Sequence, residues 1–191
     1  MIRLVALLVL LTGCNEAKQL VKKAKDAAAE AKERATTPPM PCDAEVDDKA
    51  PSGCMSGLLQ CGQTIEGTTK NGNSDYNDAF YSNKFCFPAG DDRSGPERVY
   101  LFHAPAQQDI LLKLQSDCVD LDIAAIAWSG DGSCPTENHL TPECEGQNHI
   151  GSDRVRLNTF KERDYVVVVE GKQGASGTFR LTADCVPLGG R

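Results

Sequence analysis

The feature that most constrains this 191-residue chain is its set of nine cysteines: Cys14, Cys42, Cys54, Cys61, Cys86, Cys118, Cys134, Cys144 and Cys185. Cys14 closes a short apolar leader and stands apart. The other eight are an even number, which in an exported chain reads as four disulfides. Zinc is the competing use of clustered cysteines. Cys134, His139, Cys144 and His149 are evenly spaced, with four residues in each gap. No Cys-x-x-Cys pair occurs, however, and this order departs from the paired-Cys, paired-His layout of structural zinc sites. Oxidising export therefore favours disulfides over metal at these positions. Eight cysteines permit roughly a hundred connectivities. One local pair is singled out, Cys134 with Cys144, because Pro135 and the polar residues between them make a compact loop.

The export reading comes from the first fourteen residues. Met1 to Arg3 carries one positive charge, Leu4 to Leu11 is unbroken apolar sequence, and Thr12-Gly13-Cys14 follows at once. A charged start, a short apolar run and small residues before a cut site make a secretory signal. Eight apolar residues rise about 12 Å as a helix against a bilayer core of about 30 Å, too little for a transmembrane anchor. Leu11-Thr12-Gly13-Cys14 further resembles the lipobox of bacterial lipoproteins, in which the Cys thiol is diacylated and the preceding peptide bond is cut. The resemblance implies that residues 1–13 are removed and that Cys14 carries the lipid by which the mature protein is held to a membrane. Asn15 after it, instead of Asp, favours the outer over the inner membrane by well-studied Gram-negative sorting patterns.

Residues 14–36 read as a lipid-anchored helical spacer, rich in Ala, Lys and Glu and free of Gly and Pro. Ala17, Val21, Ala24, Ala28, Ala31 and Ala35 alternate four and three apart, a faint heptad. Alanine buries little area and fewer than three heptads are present, so a solvated helix of about 30 Å is favoured over a coiled coil. Thr36-Thr37-Pro38-Pro39 ends it. Residues 37–58 then read as a linker leading into the domain.

Charge divides the chain the same way. Residues 1–39 hold seven Lys/Arg against four Asp/Glu, whereas residues 40–191 hold thirteen against twenty-three. So acidic a body repels phosphate backbones, which argues against a nucleic-acid partner. The basic stretch next to the lipid suits anionic head groups.

From Arg98 onward strands are plain: Arg98 to His103, Asp109 to Leu114, Asp122 to Trp128, Val155 to Asn158, Tyr165 to Val169 and Thr178 to Thr182, with an earlier candidate at Gln63 to Lys70. Short strands parted by Gly, Pro and Asp turns, with no helical periodicity between them, predict an all-β, antiparallel, jelly-roll-like sandwich braced by disulfides. Leu112–Leu114 and Phe179–Leu181 alternate, with one face toward the core and one toward water. Val166 to Val169 is apolar on both sides, as a central strand must be.

Several segments in order resemble a known family. These are Leu59-Gln60-Cys61-Gly62-Gln63-Thr64 with Gly67-Thr68, Gly95-Pro96-Glu97-Arg98-Val99-Tyr100-Leu101-Phe102, Asp120-Leu121-Asp122-Ile123, the pair Cys134/Cys144, Tyr165 to Gly171, and Gly177 to Cys185. Together, residues 59–185 resemble the bacterial pre-peptidase C-terminal (PPC) domain, with Glu170 where Asp is usual. The resemblance implies a small jelly-roll-like sandwich over residues 59–187, with a tail at 188–191. It also implies a non-catalytic module that binds substrate, carbohydrate or a partner protein, or assists secretion.

Catalytic constellations are sparse. Gly174-Ala175-Ser176-Gly177 lacks the spacing of a nucleophile elbow, and there is no His-Glu-x-x-His and no phosphate-cradling loop. His103 ends a strand, and the default for His139 and His149 is a polar loop residue. Asp120 and Asp122, two apart on an extended chain, point to one side; with Asp131 or Asp153 they would suit Ca²⁺, although a hydrogen-bonded turn is favoured. Trp128 with Tyr76, Phe80 and Tyr81 would make a sugar-stacking surface, against a default of packing at the edge of the core.

The expectation is therefore a lipid-anchored protein of the cell envelope, not an enzyme, with no cofactor and no catalytic metal. Its sandwich would bind an envelope protein or a polysaccharide. Two other classes stay open: a metal-dependent or unrecognised envelope hydrolase using Asp120 and Asp122, and a structural lipoprotein that self-associates through its spacer.

Overall fold

A computed structural model describes residues 20, 21, 24, 25, 28, 32, 37–46, 53–77, 80, 81, 92–128, 140–147 and 152–189, with backbone alone at 140–147 and 152. The chain forms two compact units, Met1–Pro39 and Met40–Arg191. In the first, residues 20, 21, 24, 25, 28 and 32 are helical and exposed; the signal segment and Cys14 lie outside the described residues. Among the described residues no helix is long and apolar enough to cross a membrane.

The second unit is all-β. Its described strands are β1 (Gly57–Leu59), β2 (Thr64–Thr68), β3 (Arg98–Ala104), β4 (Gln108–Gln115), β5 (Leu121–Trp128), β6 (Leu140–Gln147), β7 (Ser152–Thr159), β8 (Arg163–Gly171) and β9 (Thr178–Pro187). They build a five-stranded sheet, β1-β3-β8-β5-β6, and a four-stranded sheet, β2-β9-β4-β7. All pairings are antiparallel except one: β1 runs parallel to β3, with Leu58 opposite Leu101. The chain leaves β1 for β2 in the other sheet and returns to β3 by the long connection 69–97. A connection of that length permits parallel pairing, which a tight hairpin forbids.

Alternation determines which side of each strand is buried. Phe102, Ile110, Leu112, Leu114, Ile123, Val167, Phe179 and Leu181 turn inward between the sheets and form the main core. A second cluster lies on the far side of the five-stranded sheet, where Tyr76, Phe80 and Tyr81 cover Val99, Ala124, Ile126, Trp128, Val166 and Val168. The central strands of the five-stranded sheet are therefore buried on both faces. That accounts for β5 and for Tyr165–Gly171 of β8, buried throughout, and places β8 near the middle of its sheet. In the four-stranded sheet, β4 alternates buried and half-buried positions.

Packing begins before Leu59. Met40 is buried, its N–H donates to Asp117 Oδ2 at 2.8 Å, and the Thr178 hydroxyl donates to the Pro41 carbonyl. Cys42 is bonded to Cys118 in the β4–β5 turn, and Cys61 to Cys185 of β9; each pair has Cα atoms 5.5 Å apart. Cys54 is also in a disulfide, with a partner outside the described residues. The Cys134–Cys144 pairing falls outside them too, although the backbone of Cys144 lies in β6 opposite Ile126.

Candidate functional site

Four charged side chains are buried at one end of the five-stranded sheet. Register sets Asp122 of β5 directly opposite Glu170 of β8. Both sit on the outer face, since Ala124 and Val168, each two residues away along its strand, belong to the outer cluster. Arg93 and Glu97 come from the strap, the connection between β2 and β3. The strap is held in place by its backbone: the Gly95 N–H donates to the Gly171 carbonyl, the Gln173 N–H to the Asp92 carbonyl and the Glu97 N–H to the Asn73 carbonyl. A Cβ at Gly95 would collide with the Gly171 carbonyl oxygen, so only glycine allows this approach.

Arg93 Nη1 lies 2.6 Å from Asp122 Oδ2 and 3.4 Å from Glu170 Oε1. Lys172 Nζ stands 3.8 Å from the same Asp122 oxygen. The Arg93 guanidinium also sits over the Tyr81 ring, 5.8 Å from its centroid, which favours the cation further. Glu97 works from the other side of the strap, accepting the Asp75 N–H at 2.8 Å and the Tyr76 N–H at 3.3 Å. Next to it, Arg98 donates to the carbonyls of Thr68 and Lys70, both at 2.7 Å. All four cluster residues are at most 2% exposed.

Burial dominates their protonation. It pushes the Glu170 carboxyl up to about 8, with Arg93 opposing and the Glu97 charge reinforcing. Glu97 rises to about 7 by the same desolvation, tempered by its two backbone donors. Asp122 is raised by burial while Arg93 and Lys172 pull it down. The Tyr81 hydroxyl is raised by burial and by Glu170 and Glu97. Near neutrality Glu170 is thus largely protonated and Glu97 about half so.

The candidates singled out from sequence are placed as follows. Asp122 is fully buried, with Arg93 and Lys172 supplying positive charge beside it; its Oδ1 and the Asp120 Oδ1 have no hydrogen-bond partner among the described residues. Asp153 faces the space between the sheets from β7, in line with Val155 and Leu157, so the five-stranded sheet separates it from Asp122. Asp131 lies outside the described residues. Among the described residues no three His, Cys, Asp or Glu groups converge as metal ligands; Cys134, His139 and His149 are outside them, as is the side chain of Cys144. Tyr76, Phe80, Tyr81 and Trp128 do come together, but at 5% exposure or less, so they cover the sheet and offer no stacking surface for a sugar. His103 Nδ1 lies 2.6 Å from Asp164 Oδ1, both side chains open to solvent. Gly174 to Gly177 forms the β8–β9 connection, where Gln173 and Gly174 have positive φ.

Sequence reasoning missed Arg93 and the roles of Glu97 and Glu170. One signal was present: Glu97-Arg98 opens a buried apolar strand and Glu170 closes another, and charges in such positions must be paired.

Two stacked sheets, a strap over one of them and disulfides at the margins define a disulfide-braced β-sandwich module. No family model matches the sequence, and no curated protein matches it. Among solved structures, the chain is similar to the pre-peptidase C-terminal domain of a collagenase from Bacillus anthracis (13% identity, 74% of this chain and all of that one, TM-score 0.41). It is also similar to PliG, a periplasmic inhibitor of g-type lysozyme from Aeromonas hydrophila (9%, 69% and all of that chain, 0.37). A third is CorA, a surface-associated copper-binding protein of Methylomicrobium album BG8 (9%, 71% and all of that chain, 0.42).

Proposed function

We propose that this chain is a lipid-anchored protein of the cell envelope, at the outer rather than the inner membrane, whose sandwich is a non-catalytic module that binds another envelope component. The observation that carries the reading is how the buried carboxyls are used. Glu97, Asp122 and Glu170, the carboxyls raised above their ordinary pKa among the described residues, are closed off from solvent; Asp122 and Glu170 hold Arg93 of the strap to the sheet, and Glu97 ties the strap to itself. Perturbed carboxyls mark a catalytic site when they line a cleft a substrate can enter; here they brace the fold. The disulfides Cys42–Cys118 and Cys61–Cys185 support maturation in an oxidising compartment, and the leader ending at Cys14 supports the lipid.

The test has two parts. Mass spectrometry of the native protein is expected to find an acylated amino terminus at Cys14 and no free thiols after alkylation under denaturing conditions. The mature chain, used as bait on fractionated envelope, is expected to retain a protein or glycan component. Turnover of ester, peptide or glycoside substrates that disappears in Asp122→Ala would instead establish the hydrolase reading.

A further inference from the structure

In the amino-terminal unit the described residues Leu20, Val21, Ala24, Lys25, Ala28 and Lys32 are helical, and all six are exposed. At about 100° per residue, Leu20, Ala24, Ala28 and Val21 fall within an arc of about 100°, and Lys25 follows at its edge. An apolar stripe of that width belongs to a helix with one side covered. Here the stripe lies open: Leu20 is 67% and Val21 56% exposed. The other large apolar side chains exposed among the described residues, Leu58 and Phe160, lie on separate elements of the sandwich, β1 and the β7–β8 turn. A helix of this length without tertiary packing is marginal in water even when rich in alanine, so a surface that covers the stripe also stabilises the helix.

We propose that this stripe lies on an anionic lipid surface, with Leu20, Val21, Ala24 and Ala28 against the acyl boundary and Lys25 among the head groups. The inference rests on the lipid-anchored reading above and adds the posture of the anchoring segment, along the membrane in place of the solvated spacer expected from sequence. The described helix is too short and too polar to cross a bilayer, which leaves contact along the surface. Leu20 is six residues beyond Cys14, a reach of at most about 20 Å, so acylation brings the stripe to the bilayer at high local concentration. The large side chains sit at that end, and the stripe continues away from it through Ala24 and Ala28. A second copy of this chain fits less well. Leu20 and Val21 are adjacent, about 100° apart around the helix, and the narrow seam of a coiled coil takes one of them, where a flat surface takes both. Charge points the same way. Residues 14–36 carry six Lys/Arg against four Asp/Glu, the reverse of the balance in residues 40–191. Lys25 is placed to lay its aliphatic stem beside the stripe and its ammonium in the head-group layer.

The experiment follows amide hydrogen exchange in the full mature chain, made lipid-free by Cys14→Ser, alone and with an excess of phosphatidylglycerol or phosphatidylcholine vesicles. With phosphatidylglycerol, exchange at residues 20–32 is expected to slow about tenfold or more, and less with phosphatidylcholine, while the sandwich exchanges as before. Leu20→Gln/Val21→Gln keeps good helix formers at both positions and is expected to lower vesicle affinity about tenfold or more, with the melting temperature of the sandwich unchanged. Lys25→Gln is expected to lower it about fivefold on phosphatidylglycerol, and Phe160→Gln to leave it intact. Unchanged exchange with vesicles, equal slowing on the two lipids, indifference to Leu20→Gln/Val21→Gln or a loss in Phe160→Gln overturns the inference. Equal protection without lipid does so too, with dimers in sedimentation placing a second copy on the stripe. If the native Cys14 proves acylated while vesicles leave exchange unchanged, this inference alone has failed; if vesicles slow exchange in the lipid-free chain and the native Cys14 is unmodified, the anchor reading alone has failed.

Discussion

A guanidinium enclosed with carboxyls can be deleted alone or together with its partners, and the two deletions differ in cost. Arg93→Met leaves Asp122 and Glu170 buried without their main counter-charge, and breaking a buried pair in this way costs about 3–5 kcal/mol. Urea unfolding is expected to show that loss, and the triple variant Arg93→Met/Asp122→Asn/Glu170→Gln to recover most of it, since the two carboxyls that faced Arg93 no longer carry charge. Protonation gives a second expectation. The folded pKa is about 8 for Glu170 and about 7 for Glu97, against an ordinary value of 4.5. Between those limits the folded state binds more protons than the unfolded one, so their contribution is complete below about pH 4.5 and is lost as pH rises through 7 to 8. Melting temperature should fall from pH 5 to pH 9, and Glu170→Gln should flatten the upper part of that fall; a profile in Glu170→Gln as steep as the parent's would count against the assignment. Asp122 was legible in the sequence as a special carboxylate. Its partner was not, because Arg93 lies 29 residues away and only the register of β5 and β8 brings the strap to it.

Strands announced themselves in proportion to their burial. β3, β5, β8 and β9, apolar by alternation or throughout, were plain in the sequence, whereas β6 was not. Leu-Thr-Pro-Glu-Cys-Glu-Gly-Gln has the Pro and Gly that oppose a strand, and an edge position tolerates both. β1, with three residues, is too short to show a period and exists because β3 offers it an edge. Neither the sequence pattern nor strand propensity reveals the strap, whose fit depends on close backbone approach at Gly72 and Gly95. Gly95→Ala drives a methyl group into the Gly171 carbonyl and is expected to cost about 1–3 kcal/mol. Hydrogen exchange should then rise at residues 92–97 before it rises in β5.

Over the whole molecule, Cys61–Cys185 ties residues 124 apart, spanning nearly all of the sandwich. Cys61→Ser/Cys185→Ser is expected to lower stability by about 2–5 kcal/mol, chiefly by freeing the unfolded chain, as read from the denaturation midpoint with the other disulfides intact. The other bond has a mechanical consequence. Cys42 follows directly on the segment that leads in from the amino-terminal unit, and Cys118 lies between β4 and β5. A tug on the amino terminus passes through sulfur into that turn after Met40 and Pro41 have peeled away. β4 is flanked by β9 and β7, and β5 by β8 and β6, so the load enters both sheets through interior strands. Extraction then has to shear ladders on either side of each strand at once, where unzipping an edge would break them one rung at a time.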